Sequence, residues 1–149
     1  MINDNLKLRG DVAIVLKDKN GNVKESREIN NLVVTAGLTF ICSRMAGASA
    51  GVMSHMALGS STTAAAAGQT DLVSILGSRE VLDSSTASAN TIVYVSSFEA
   101  GEGTGAVTEA GVFNASSSGT MLCRTVFPVV NKGNDDTMSV TWTITLTAS

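Results

Sequence analysis

The feature that most constrains this chain is a strict two-residue alternation near its end. Threonine or serine occupies every odd position from 137 to 147, and the even positions are apolar: Met138, Val140, Trp142, Ile144 and Leu146. Successive side chains of a strand point to opposite faces of a sheet, so one face of this segment is apolar and the other polar. The alternation predicts a half-buried antiparallel strand, with Trp142 buried against the face that Ile92, Tyr94 and Phe98 present.

The first 30 residues predict a β-hairpin. An apolar run ends at Leu16, and an Asn-Gly turn at positions 20–21 leads into a return strand from Val23 to Ile29. Four charged residues on the return strand are the candidate partner contacts of this chain: Lys24, Glu25, Arg27 and Glu28. The alternative interpretation is an edge strand whose charges discourage unwanted pairing.

Apolar spacing predicts two helices. The first begins at Thr35 as N-cap and places Leu38, Ile41, Cys42 and Met45 on one face, and Gly47 ends it. A short second helix is predicted after Thr70, with Leu72, Ile75 and Leu76 on one face. The Ser/Thr/Ala/Asn stretch at 84–90 is interpreted as a connection between two strands.

These elements together predict a mainly β fold. Seven to nine short strands at hairpin spacing, with one or two short helices inserted, favour an antiparallel β-sandwich or jelly roll. The length of 149 residues suits a single domain. We therefore expect one β-sandwich domain over 1–149, in which the N-terminal hairpin 1–30 is a candidate attachment element.

Composition excludes several classes of protein. Charged residues make up only 15% and the net charge is −3, so no basic surface for nucleic acid is expected. Serine and threonine account for 34 of 149 residues, which favours strands and turns. No apolar run is long enough for a membrane helix, and the first residues carry no apolar signal core. We expect synthesis in a cytoplasm and no membrane partner.

Residues that could carry chemistry are few and isolated. His55 has no partner at a recognisable spacing, so neither a metal site nor a catalytic triad is predicted. Cys42 and Cys123 lack metal-ligand spacing and are both interpreted as small buried residues. Three carboxylates lie close in sequence: Glu99, Glu102 and Glu109. Two of them could form a glycosidase pair, but we interpret all three as solvated loop charges.

Two segments formally match ligand-binding motifs. Asp18, Asn20 and Asn22 mimic the start of an EF-hand loop, but the following glycine and the twelfth-position glutamate are missing. Residues 101–106 match G-x-G-x-x-A, but no long helix is predicted after them. Both segments are interpreted as turns. No catalytic, cofactor or metal residue is predicted, and we expect no enzymatic activity.

Four stretches resemble small virion structural proteins of tailed bacteriophages, a group that includes capsid cement (decoration) proteins and tail accessory proteins. The stretches cover most of the chain from about residue 31: Asn31–Leu38 with Ser43–Met45, Met53–Gly59 leading into Thr62–Ala65, Thr108–Asn114 with Gly119–Arg124, and Val130–Gly133 followed by Asp136–Ile144. Such motifs mark a scaffold, so no catalytic residue carries over.

The resemblance implies a capsid cement protein that binds the outer face of the shell and stabilises it. Its expected partners are the major capsid protein and itself, as a homodimer or homotrimer, and its expected location is the capsid surface of a virion assembled in the host cytoplasm. The alternative is a tail or fibre accessory protein that binds a host glycan. Few aromatic residues, 4% of the chain, count against that alternative.

Overall fold

Strands make up most of the computed structural model, which describes residues 5–148. Over these residues the chain is 53% strand and 8% helix. The elements in chain order are β1 (Leu6–Lys17), β2 (Val23–Val33), α1 (Thr35–Met45), β3 (His55–Gly59), β4 (Glu80–Val81), β5 (Ser84–Ser88), β6 (Thr91–Phe98), β7 (Gly105–Phe113), β8 (Met121–Lys132) and β9 (Thr137–Ala148). The prediction of a mainly β fold with a short helix is confirmed.

The strands form one antiparallel sheet that curls so that its two halves share a core. Their order is β4-β3-β7-β8-β2-β1-β9-β6-β5. We call β2, β1, β9, β6 and β5 the open half, and β8, β7, β3 and β4 the covered half. The two layers of the predicted sandwich are therefore parts of one continuous sheet.

Two segments pass from one half to the other. β2 pairs with β1 up to Asn31, and its last residues, Leu32 and Val33, pair with β8. On the opposite side β4 pairs with β3, and β5, which follows after two residues, pairs with β6. The 84–90 stretch is thus largely a strand and not the connection that we predicted. Its pairing with β6 brings the two outer edges of the curled sheet together.

The core lies between the two halves and follows the predicted alternation. Trp142 is fully buried, as predicted, but Tyr94 of β6 is its register partner in the same half and not part of an opposing face, which corrects that part of the prediction. β6 is the neighbour of β9 in the same half, so the opposing layer is supplied by the covered half, including Met56, Leu58 and Phe127.

The outer faces of the two halves differ. In the open half the threonines of β9 remain partly exposed, so burial alternates along the strand. In the covered half every residue of β7 from Val107 to Phe113 is buried. Helix α1 and the irregular segment 60–79 lie over this outer face, where a second small cluster forms from Val34, Ala57, Leu72, Phe113 and Met121.

Helix α1 has the predicted bounds, but the predicted apolar face is covered only in part: Ile41 packs against the core, whereas Cys42 is exposed. Its N-cap is Val34, whose side chain cannot cap, and Thr35 is the first helical residue. Leu38 is 46% exposed and Met45 is 84% exposed. The helix instead approaches β8 closely through Gly37, where any side chain would collide with the carbonyl oxygen of Leu122.

The predicted second helix near Thr70 does not form. The backbone amides of Val73 and Ser74 donate to a buried carboxylate, that of Glu109, and the amide of Leu76 donates to the carbonyl of Leu58. These amides are committed to the sheet, so they cannot make the hydrogen bonds of a helix. The segment crosses the covered half as an irregular loop.

Candidate interaction surfaces

The four predicted contact residues all lie on β2 but point in two directions. Glu25 and Arg27 are opposite Leu16 and Ile14, whose side chains face the core, whereas Glu28 is opposite Ala13 on the outer side. Arg27 Nη2 lies 3.1 Å from Glu25 Oε1, and both side chains are about one-third exposed. This ion pair closes the rim of the core where β2 leaves β8.

Lys24 is held by the turn between β8 and β9. Its Nζ lies 2.8 Å from Asp136 Oδ2, and the same oxygen accepts a hydrogen bond from the Gly133 amide at 2.7 Å. These two hydrogen bonds keep the pKa of Asp136 below its usual range. Three of the four predicted contact residues therefore have ion-pair partners within the chain, and Glu28 has none among the described residues.

Nearby, the buried Lys132 closes the same end of the sheet. Its Nζ donates to the carbonyl oxygen of Glu99 at 2.9 Å. Burial lowers the pKa of Lys132, and the carboxylates of Asp136, Glu102 and Glu99 oppose this shift. Glu99 is exposed, as expected for a solvated loop charge.

Glu109 is not a solvated loop charge, which corrects our interpretation. It lies in the middle of β7 with no exposed surface, and its partner is the equally buried Arg124 of β8. Arg124 Nε and Nη2 lie 2.9 and 2.7 Å from Glu109 Oε2. The signal in the sequence is that each charge is embedded in an otherwise apolar strand, a context in which a charge requires a partner.

The Glu109–Arg124 ion pair holds the segment 60–79, which we call the anchored loop. Glu109 accepts hydrogen bonds from the amides of Val73 at 3.1 Å and Ser74 at 2.7 Å. Arg124 Nη1 donates to Gln69 Oε1 at 3.0 Å. A charged pair at the centre of the covered half thus fixes the backbone of a loop that has no regular structure of its own.

A second arginine fixes the far end of the anchored loop. Arg79 Nη1 donates to the carbonyl oxygens of Ala115 at 2.9 Å and Ser118 at 2.8 Å. Its guanidinium carbon lies 3.6 Å from the centre of the Phe113 ring, a cation–π contact. The loop is therefore ordered at both ends, while Val73 and Ile75 on its outer side remain 54% and 44% exposed.

The histidine and the two cysteines, which could in principle act in catalysis or metal binding, do not form a site together. His55 Nδ1 lies 2.7 Å from Ser54 Oγ, its immediate neighbour. Cys123 is buried as expected, and burial raises the pKa of its thiol well above the usual value. Cys42 is exposed, so the prediction that both cysteines are buried is wrong for it. No cluster of three metal-ligating residues occurs within residues 5–148.

Both formal motifs are turns. Asp18 Oδ1 accepts hydrogen bonds from the amides of Asn20 and Asn22, and the second of these is the main reason that the pKa of Asp18 is lowered. The 101–106 segment leads into strand β7, not a helix, and its glycines at 101 and 103 have positive φ.

One apolar groove of about 290 Å³ lies outside these sites. It is lined by the start of β1, the end of β9 and the exposed face of α1, at Leu6, Leu8, Leu38, Ile41, Cys42, Met45 and Leu146. None of the helices in the described part of the chain is long and apolar enough to cross a membrane.

No family model, curated protein or solved structure matches this chain.

Proposed function

We propose that this protein is a bacteriophage capsid cement protein that binds the outer face of the major capsid shell. The observation that carries the proposal is the anchored loop, a long surface segment whose backbone is fixed from within by the Glu109–Arg124 ion pair. Its outer side displays mostly small or apolar side chains, with Val73 and Ile75 exposed among them, and its exposed charge is Asp71, which pairs with Arg79.

A loop that is ordered before binding suits a protein that holds other proteins together. Ordering flexible segments at an interface lowers affinity, so a preformed loop retains more of its contact energy. Binding to the assembled lattice more tightly than to free subunits would stabilise the shell by mass action. The resemblance to phage virion proteins also includes residues of this loop, at Thr62–Ala65.

The same structural facts argue against the glycan-binding alternative. Sugar faces commonly stack on exposed aromatic rings. All six aromatic side chains of this chain lie in its described part, and each is buried or partly buried: Phe40, Tyr94, Phe98, Phe113, Phe127 and Trp142. None of these rings is fully exposed for stacking on a sugar, so we favour capsid binding over glycan binding.

Cryo-electron microscopy of the virion tests the location. Density for this chain over the shell is the expected result, and density confined to the tail would overturn the proposal. A retention assay on purified capsids tests the surface. We expect Val73→Asp with Ile75→Asp to lower retention at least about tenfold, because charge is placed in a desolvated contact.

The matched control is Val52→Asp with Val129→Asp, at two valines that are 62% and 45% exposed. It adds the same two charges outside the anchored loop, so retention should stay close to that of the unchanged chain. Equal losses for the loop variant and the control would remove the anchored loop as the attachment surface.

A further inference from the structure

Part of β2 is an open edge of the sheet. Residues 25–29 pair with β1 on one side, and Val23 pairs with it beyond a bulge at Lys24, whereas β8 joins β2 only at Leu32 and Val33. The carbonyl oxygen of Asn30 accepts a hydrogen bond from the Thr125 hydroxyl at 3.0 Å, so it points away from β1. Because backbone groups alternate along a strand, those of Ser26 and Glu28 also point away from β1 and lack a neighbouring strand.

We propose that this edge pairs antiparallel with the same edge of a second copy of the chain, about a two-fold axis at Ser26. This goes beyond capsid binding, because it concerns the free protein. Ser26 then faces Ser26 of the second copy, and each supplies an outward backbone donor and acceptor.

The charges of β2 are self-complementary in this register. Glu25 faces Arg27 of the second copy, and this pair occurs twice. Lys24 stands at the bulge of β2, and its ammonium is held by Asp136 of its own chain. Opposite charges across a strand pair stabilise it, and like charges destabilise it. An axis at Lys24, Glu25, Arg27 or Glu28 instead places that charged residue directly opposite its own copy. Ser26 is thus the axis between residues 24 and 28 that avoids a like-charge pair.

The ion pair of the single chain fits into this arrangement. Arg27 lies 3.1 Å from its own Glu25 and both remain about one-third exposed. In the dimer each Arg27 would lie between two glutamates, which gives a ring of alternating charge.

The edge strand β5 has no comparable pattern of opposite charges. β5 consists of exposed, uncharged residues, Ser84 to Ser88. Side chains of this kind specify strand register weakly. Charge complementarity therefore assigns the second copy to β2.

Sedimentation equilibrium of the purified full chain over a concentration series tests the dimer. The expected mass rises toward twice the 15.3 kDa of the monomer. High salt should weaken the association because the ion pairs are partly exposed. A monomer at every concentration would overturn the inference.

Charge exchange tests the register. Arg27→Glu places glutamates opposite each other and should weaken the dimer at least about tenfold. Combining Arg27→Glu with Glu25→Arg restores opposite charges in every pair and should restore the dimer. Lys19→Glu, in the turn outside the paired segment, is the matched control. The register is contradicted if Arg27→Glu leaves the dimer dissociation constant unchanged, or if the double variant dimerises as weakly as the single one.

A disulfide cross-link tests the same register without changing any charge, so its result does not depend on how charge substitutions affect folding. Directly hydrogen-bonded antiparallel residues have Cα atoms about 5.5 Å apart, within disulfide range. Ser26→Cys in a Cys42→Ser background should therefore form a covalent dimer under mild oxidation, and Lys19→Cys should not. Equal cross-linking of both variants overturns the proposal. These measurements involve no capsid, so they can fail while the capsid proposal stands, and the reverse also holds.

Discussion

The outer faces of the two halves of the sheet show how the same strand geometry serves two kinds of surface. On the open half, alternate threonines of β9 contact water and the opposite residues fill the core. On the covered half, β7 is buried on both faces because the anchored loop lies over it. The covered face buries Glu109 and Arg124, so its stability depends on a charged pair where the core depends on apolar contacts.

The difference shows that a sheet face covered by an irregular loop must supply polar groups to the backbone of that loop. Loop amides that lose water must find acceptors, and no helix or strand supplies them here. The carboxylate of Glu109 accepts two such amides closely and requires a cation, which Arg124 provides. The open half has no comparable loop and needs no such pair.

The largest expected effect is in the core of the open half. Trp142→Ala should lower the free energy of unfolding by about 4 kcal/mol, since the side chain is fully buried and leaves a large cavity. Urea denaturation monitored by circular dichroism measures it. Thr143→Ala, on the outer face of the same strand, is the control and should change stability by less than about 0.5 kcal/mol. Similar losses at both positions would remove the distinction between the two faces of β9.

The next effect concerns the ion pair of the covered half. Arg124→Met should lower the free energy of unfolding by about 3 kcal/mol, because Glu109 is left buried without a cation. Adding Glu109→Gln removes the stranded charge, so the double variant should be more stable than the single one. The same urea experiment measures both. A single variant as stable as the original chain would show that the covered half does not depend on the pair.

A smaller effect is expected within the anchored loop. Gln69→Ala removes the oxygen that accepts from Arg124 Nη1 at 3.0 Å and from the Ala66 amide at 3.0 Å. We expect a loss of about 1–2 kcal/mol, as for hydrogen bonds to charged groups. Thr62→Ala, an exposed change in the same loop, is the control. Amide hydrogen exchange at Val73 and Ser74 should quicken in the first variant only.

The smallest expected effect is that of Tyr94 ionisation on stability, which does not change the free energy of unfolding at neutral pH. Burial raises its pKa from 10.0 to about 12. The contribution to stability is complete below pH 10 and is lost as pH rises toward 12, because the folded state holds this proton more tightly. As the chain has one tyrosine, its ultraviolet absorbance reports this residue alone. Ionisation of the folded chain near pH 10 would mean that the open half admits water at Tyr94.

The contrast between the halves also explains how far the sequence could be interpreted. β9 was predictable because one of its faces is wet, which produces a clear alternation around Trp142. β7 has no alternation, since both faces are buried, and so Glu109 resembled a loop residue.

The partner of Glu109 was hidden for a further reason. Arg124 is 15 residues away, and the loop amides that share the carboxylate are about 35 residues away. Nothing in local spacing links these groups, because the fold brings them together. The exposed face of α1 was missed in the same way: the helix contacts the sheet through Gly37, a contact made by the absence of a side chain.

The pairing of β1 with β9 has a consequence for chain connectivity. Twelve register pairs run from Leu6 opposite Ala148 to Lys17 opposite Thr137. Both ends of the described chain therefore meet at one end of the sheet, and a pulling force applied there loads the ladder one pair at a time. The same closeness suits circular permutation. A short linker between these ends, with new termini in the 114–120 turn, would keep every strand pair of the sheet.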